Sequence, residues 1–493
     1  MGKLKPDLFQ LIKSLDGNEK GYFKKYSLIH SSEAGSVNNY LRLFDAIDAM
    51  QEYDEQEIKR LFKGEKFLEQ LSVTKNYLYN SVLKSLRSYS SKATVHLQLL
   101  SALEDIQLLI GKGLYERALE CISAARKKAV ENEFFGYETE LIELERTLFM
   151  IQPKGNYLEV ISNLNKDRSL AVDKLRTEQE FMELTYRANA ELFFPDTKRK
   201  EVTAGKFIGE LKTKIFSSPV STPSVYAGHL FSNLRMMYYR IKGSHADSYP
   251  EAVKGFDLLR QNPFIIQKNP YAFYNKAFHM GIIMERLGLE RELNTLLREI
   301  PEFEKHCHLK LNPKLRGFIL QEHANLSIIH YLNSGQFEKG LTFIRATEKE
   351  IKKSESQFAR SSIYTFYYYA VVFFISTGNF KDAVSFLNRI LVIESYSILP
   401  FIAMLSKYFL VIAHYELGNR ELLPSLDKLF DPGESIEPLE YLKSRLPLIL
   451  NKKEEKAVFA KFRQRLLEST NKTTLQGYFD FLAWAEKKIQ SKR

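Results

Sequence analysis

The stretch Gly378-Asn379-Phe380-Lys381-Asp382-Ala383 sets a glycine two residues before an aromatic and five before a small side chain, and Gly113 opens the same spacing with Tyr115 and Ala118. Gly155 with Tyr157 and Val160, and Gly335 with Phe337 and Gly340, repeat it. Weaker copies run from Gly288 to Leu293 and Gly418 to Leu423, and a stretched one from Gly243 to Tyr249 and Ala252. Successive glycines lie 42, 88, 45, 47, 43 and 40 residues apart. Eighty-eight is two units of 44, with Pro195-Asp196-Thr197 near the midpoint, so about eight units of one period are expected.

Both flanks of these turns carry apolar residues at helical steps: Val95, Leu99, Ala102, Ile106 and Leu109 before one, Phe380, Val384, Leu387 and Leu391 after another. Each unit therefore reads as helix, tight glycine turn, helix. Capping-box patterns at Asp16 with Glu19, Asp54 with Glu57, Thr177 with Glu180, and Ser354 with Gln357 predict helix starts. Breaks between units are expected near 217–223, 262–270, 301–313 and 431–433, where Pro and Gly gather. Composition agrees, because 23 Gly and 15 Pro in 493 residues are too few to turn an all-β chain, while 44 % hydrophobic residues suffice for a core.

The Gly-x-Tyr/Phe-x-x-Ala element between paired helices resembles the turn of tetratricopeptide-type repeats. The period of 40–47 exceeds that family's 34, and the family's Trp and Gly of the first helix are missing, so the likeness is to long-period tetratricopeptide-like α-solenoids. It implies an all-α fold, a right-handed α-solenoid of helical hairpins. Residues 1–92 are expected to form an N-terminal helical cap, 93–450 the array and 451–493 a basic C-terminal helical cap, since repeat arrays need polar end caps. The segments Leu11-Ile12-Lys13-Ser14-Leu15 and Tyr77-Leu78-Tyr79 to Leu86 also resemble helical-repeat proteins of Bacteroidota, a likeness that implies no activity.

The net charge of +11 is concentrated at the ends: residues 1–92 hold 15 Lys/Arg against 12 Asp/Glu, and 451–493 hold 11 against 5. Two cysteines, Cys121 and Cys307, do not make a secreted disulfide scaffold, and the first residues show no secretory signal, so a cytoplasmic location is expected. The uncharged run 361–380 has the length of a membrane span but carries four tyrosines mid-segment and falls in phase with the repeat, so no membrane association is expected.

Nucleotide-binding, zinc-protease, Cys-x-x-Cys and nucleophile-elbow motifs are missing from the sequence, and no enzyme activity, cofactor or metal is expected. His306-Cys307-His308 has ligand chemistry but reads as a polar loop, and His323 and His330 as residues on one helical face. Residues 54–62 and 73–89 read as two helices whose junction resembles the entry to a helix-turn-helix. In that alternative reading, a transcriptional regulator, Lys75, Tyr77, Asn80, Lys84 and Arg87 face phosphates. The favoured reading is a non-catalytic scaffold that binds a protein or peptide on its concave surface. The tetratricopeptide resemblance places first helices on that surface, and Tyr364, Tyr367, Tyr368 and Tyr369 lie on one of them as a candidate groove, with at least one of the four expected to reach solvent.

Overall fold

All seven turn glycines picked out by spacing adopt the left-handed backbone conformation, with φ between 68° and 79°. At six of them the residue after the glycine donates its N–H to the carbonyl five positions back, as in Asn379 to Phe374 (2.8 Å), Gln336 to Tyr331 (2.9 Å) and Leu114 to Leu109 (2.9 Å). This bond closes the open carbonyls of the first helix and reverses the chain into the second. A Cβ at Gly378 would meet only Phe380 at 3.9 Å, so the requirement there is conformational. Gly378→Ala is expected to cost about 1 kcal/mol of stability through left-handed strain alone, measured by denaturant unfolding; an unchanged midpoint would contradict it. The reversal at Glu133 (φ 56°) was not legible in the glycine pattern, although Phe134 N–H reaches the Ala129 carbonyl (2.8 Å) in the same way.

The structure, a computed structural model, describes residues 7–29, 34–91, 93–153, 155–193, 201–216, 221–306, 313–353, 358–392, 400–430, 435–469 and 479–491, and 87 % of these are helical. The described residues fold as an all-α array of helical hairpins. It divides into two compact units, Met1–Arg168 and Ser169–Arg493.

Unit 1 begins with α1 (Asp7–Ser14), α2 (Gly17–Ile29), α3 (Ala34–Ala49), α4 (Glu55–Leu61), a 3-10 turn Lys66–Gln70 and α5 (Leu71–Ser90). Their apolar faces meet in one core around Ile12, Phe23, Phe44, Ile47, Ile58, Leu78 and Val82. The capping box at the start of α2 forms as read: Asp16 N–H donates to the Glu19 carboxylate and Glu19 N–H to that of Asp16, both at 2.8 Å. A separate core holds α6 (Val95–Gly111), α7 (Tyr115–Glu131) and α8 (Phe135–Ile151) through Leu99, Ile106, Ala118, Ile122 and Leu141. The described residues from Leu8 to Leu86 thus have a core of their own, although unit 1 runs on to Arg168. The next helix, α9 (Tyr157–Phe193), contains the division between the units. No helix starts at Thr177. Its hydroxyl bonds back to the Asp173 carbonyl (2.9 Å), which satisfies it inside a helix that no Pro or Gly interrupts.

Unit 2 continues with α10 (Glu201–Phe216), then α11 (Val225–Ile241), α12 (His245–Gln261), the short α13 (Phe264–Lys268), α14 (Pro270–Leu287), α15 (Glu290–His306), α16 (Pro313–Asn333), α17 (Phe337–Lys353), α18 (Arg360–Thr377), α19 (Phe380–Val392) and α20 (Pro400–Glu416). Most helices of the hairpins are 17 or 18 residues long, so two helices, a turn and a connection account for a period near 43. The first helices α14, α16, α18 and α20 each pack on the next first helix as well as on their own hairpin partner, the nearest-neighbour stacking of an α-solenoid. At the position five after the turn glycine, Gly340 lets α17 approach α18 so closely that a Cβ would lie 2.5 Å from the Phe373 ring. Ala118, Ser248 and Ala383 are fully buried at the equivalent place.

The C-terminal segment comprises a 3-10 stretch Arg420–Leu429, α21 (Glu437–Arg445), a 3-10 turn Leu446–Leu448, α22 (Lys452–Glu468) and α23 (Phe481–Gln490). Phe459, Phe462, Phe479, Phe481 and Trp484 join the core that contains Phe409 of α20. Three of the basic residues here form ion pairs within the fold: Lys488 pairs with Glu416 (2.6 Å), Lys452 with Glu455 (2.5 Å) and Arg463 with Glu486 (2.9 Å). No helix among the described residues is long and apolar enough to cross a membrane.

The capping pattern at Ser354 and Gln357, the midpoint turn 195–197, the break at 431–433 and Cys307-His308 lie outside the described residues, as does the His306 side chain.

Candidate functional site

The tyrosine-rich helix α18 is apolar on every side, and a helix of that kind is enclosed rather than laid along a groove. Tyr364, Tyr367 and Tyr368 are buried at 2 %, 7 % and 0 % exposure, which corrects their assignment as groove residues. Tyr364 approaches the Ser406 hydroxyl of α20, and burial pushes its phenol up to about 12. Tyr367 packs edge-on against Phe386 at 5.2 Å and Tyr368 lies 6.1 Å from Phe409. Tyr369 alone of the four keeps partial exposure. One step of 100° separates it from Tyr368, so it leaves the hairpin interface that holds the other three.

The tyrosine that reaches solvent lies within electrostatic reach of Arg240, at the end of α11. Arg240 Nη1 donates to His279 Nδ1 of α14 at 2.6 Å. Burial, with Arg240 and Lys276 nearby, holds the His279 imidazole well below its ordinary range, so it is neutral and accepts from the guanidinium. Burial also brings Arg240 down to about 10, with Arg286 acting in the same direction and Tyr369 against it; the guanidinium is still protonated at neutral pH. Arg286, near the end of α14, is exposed and forms no ion pair with any described residue. His245, first residue of α12, is held low by burial and by Arg286 and Arg240, and its Nδ1 is buried without a hydrogen-bond partner among the described residues. These groups come from four helices, and Arg240, His245 and Tyr369 are each partly exposed.

Beneath this cluster lies a buried polar layer. Lys276 of α14 is 1 % exposed; its ammonium reaches the Met236 thioether at 3.6 Å, and burial brings it down to about 7 against a weaker upward pull from Glu251. Gly255 makes room for it, since a Cβ there would stand 2.8 Å from the lysine Nζ. His229 Nδ1 donates to the Gly255 carbonyl (3.1 Å) and burial takes this ring to about 3. Ser232 donates to the Glu251 carbonyl (2.6 Å), while Arg235 pairs with the Glu251 carboxylate (2.7 Å). Further along, His330 meets Glu285 at 2.7 Å, and the Glu322 carboxyl, bonded by Gln321 at 2.8 Å, is pushed up to about 8 by burial. His323 does not join His330 in one site; it packs against Phe343 at 6.1 Å.

Sequence reasoning passed over Arg240, Lys276 and His279. Their signal was present as a Lys and a His three residues apart inside the apolar run of α14, a place where an ordinary core helix carries neither.

The alternative nucleic-acid set lies on α5. Lys75 does not face phosphates: its ammonium is bound to the Glu55 carboxylate (2.6 Å) and the Tyr53 hydroxyl (3.1 Å), and it is half-buried. Glu55 is drawn down to about 2 by Lys75 and Lys59. Tyr77 stacks on Tyr40 at 4.5 Å, and the Asn80 amide bonds back to the Asn76 carbonyl (2.9 Å). Lys84 and Arg87 are exposed further along the helix. A left-handed Gly64 and the 3-10 turn separate α4 from α5, so the connection is not the tight turn of a helix-turn-helix.

No protein-family profile matches the chain, and no curated protein matches it. Among solved structures it is similar to a signal transduction ATPase with numerous domains (STAND) protein with a tetratricopeptide repeat sensor from Pyrococcus horikoshii, at 14 % identity and a TM-score of 0.31. The match covers 85 % of this chain and 66 % of that one, so the chain spans just under two thirds of the length of the protein it matches.

Proposed function

We propose that this chain is a non-catalytic repeat protein of the cytoplasm that binds a protein or peptide partner on the first-helix side of unit 2. The observation that supports this most is the exception to burial on the first helices: Tyr369 of α18, Arg240 of α11 and Arg286 of α14 keep solvent access where most of their neighbours are core. An amphipathic ring beside guanidinium groups is what recurs at binding hot spots. Many other titratable groups of unit 2 are committed to ion pairs, including Lys268 with Glu178 (2.7 Å) and Lys443 with Glu440 (3.0 Å), which favours binding over catalysis. The regulator reading loses its central cation to the Glu55 pair.

The test compares partners captured by wild type and by Tyr369→Ala in the native cell. A partner bound by wild type should be lost or weakened by roughly 1–3 kcal/mol in the variant, with unfolding unchanged. An identical captured set would overturn the assignment of the groove to this face.

A further inference from the structure

The 20 residues of α5 include no acidic side chain, and one face of this helix is exposed from Tyr77 through Asn80, Lys84 and Arg87 to Ser88. Steps of three and four residues keep these positions within about 100° of arc, a single strip along the helix. At its far end the hydroxyls of Ser88 and Tyr22 of α2 share a hydrogen bond (2.9 Å), and the Tyr22 ring lies 5.1 Å from that of Tyr89. We infer that this strip of unit 1 binds single-stranded nucleic acid, with phosphates on its cations and bases on its tyrosines. It is separate from the partner face of unit 2, and it uses neither Lys75 nor a helix-turn-helix.

The cations of the strip are unspent. Lys84 and Arg87, and Lys25 one turn beyond Tyr22 on α2, are exposed, and none of the three side chains forms a hydrogen bond or ion pair with a described residue. Acidic groups nearby are engaged elsewhere: Asp48 with Lys20 (2.6 Å), Asp45 with Lys24 (2.7 Å), and the Glu19 carboxylate with the Asp16 N–H (2.8 Å). Positive charge without a local counter-charge is what a phosphate backbone neutralises, releasing its own counterions.

The rings decide the class of polyanion. Tyr77 stacks on Tyr40 at 4.5 Å with 28° between the planes, yet stays 53 % exposed, so one face is held and the other is open. Tyr89, beside Tyr22 at the other end, is 37 % exposed. An acidic peptide would need the cations alone, whereas open rings at both ends of a cationic run suit bases, each of which has a face to stack. A paired base keeps its faces inside the duplex, so the strand must be single. Tyr77 to Ser88 spans about 16 Å, the length of about four or five stacked nucleotides at about 3.4 Å each, which is the short end of known single-strand sites.

The experiment is a fluorescence-anisotropy titration of a labelled oligouridylate of about fifteen nucleotides with the full chain, from about 50 to 200 mM salt. Wild type should bind, more weakly as salt rises. Lys84→Gln with Arg87→Gln should weaken binding roughly ten-fold or more at low salt and flatten the salt slope by about 1.4, two cations at about 0.7 each. Tyr77→Ala should lose about five-fold or more, while Tyr77→Phe, which keeps the ring, should bind as wild type does. These side chains are exposed, and unfolding midpoints check that each variant folds. Lys349→Gln with Lys353→Gln on α17 removes two exposed charges from unit 2 and should leave binding unchanged; a loss equal to that of the α5 pair would mean attraction by net charge alone and would overturn the site. So would no anisotropy change at low salt, or unaltered binding in the α5 variants. Polyglutamate competing as well as unlabelled oligouridylate, or a duplex of equal length binding more tightly than the strand, would overturn the single-strand assignment.

Discussion

Lys276→Met is expected to stabilise unit 2 by about 2–4 kcal/mol at pH 7. Lysine carries its proton at 10.5 when solvated and at about 7 here, because burial penalises the ammonium and the Met236 thioether is a poor acceptor for it. A shift of that size corresponds to roughly 4–5 kcal/mol of penalty. Part of the gain is lost because methionine is one atom shorter and leaves a small void beside Gly255. The sign follows from linkage: the unfolded chain holds this proton more firmly than the folded one, so the penalty is complete below about pH 7 and fades as pH rises towards 10.5. The advantage of the variant should therefore be largest at and below neutrality and shrink on the alkaline side. Glu322 works in the other direction, since its folded carboxyl titrates near 8 and stability is lost as pH rises from about 4.5 through that value. Subtracting the wild-type curve removes the Glu322 contribution, which both proteins share. Denaturant unfolding at several pH values reads the difference. A destabilised variant with a pH-independent deficit would mean that the amine is held by its neighbours rather than trapped among them.

The repeat was legible in the sequence because one backbone requirement recurs. A left-handed residue at the end of a first helix is most cheaply a glycine, and seven such glycines mark turns between Gly113 and Gly418. The turn at Glu133 shows the limit of that signal: the same hydrogen bond forms around a residue that the glycine pattern cannot contain. Thr177 shows another, because a capping box in sequence is a start only if the preceding residues leave the helix, and those before Thr177 do not. The candidate site was less legible for a physical reason. Residue type told that α18 was aromatic, but one 100° step decides whether a tyrosine meets Phe409 or Arg240, and that phase depends on how α20 and α16 pack against it. Lys75 was misread in the same way: its cationic character was plain, while its partner Glu55 lies twenty residues earlier and is brought to it only by the fold.

The tyrosine helix supplies the sharpest contrast between core and site. Tyr368→Ala should destabilise unit 2 by about 3–5 kcal/mol, the cost of removing a large ring from an interior that cannot collapse around the gap. Tyr368 has no exposed surface and touches both Tyr369 (5.8 Å) and Phe409 (6.1 Å), which themselves belong to or border the same core. That core also contains Phe366, Phe373, Phe374 and the aromatic residues of the C-terminal cap, so a void at Tyr368 loosens a structure that spans several hairpins. In a stacked array each hairpin depends on its neighbours, and the loss should appear as cooperative unfolding at lower denaturant rather than as local fraying. Tyr369→Ala removes a ring that is partly in water already and should change stability by about 1 kcal/mol or less, as surface substitutions do. Thermal and denaturant midpoints of the two variants, measured side by side, check the assignment. Equal losses would place Tyr369 in the core with its neighbour, whereas a large loss at Tyr368 with an unchanged Tyr369 variant means that, of two adjacent residues of one helix, only Tyr368 is held in the packed core.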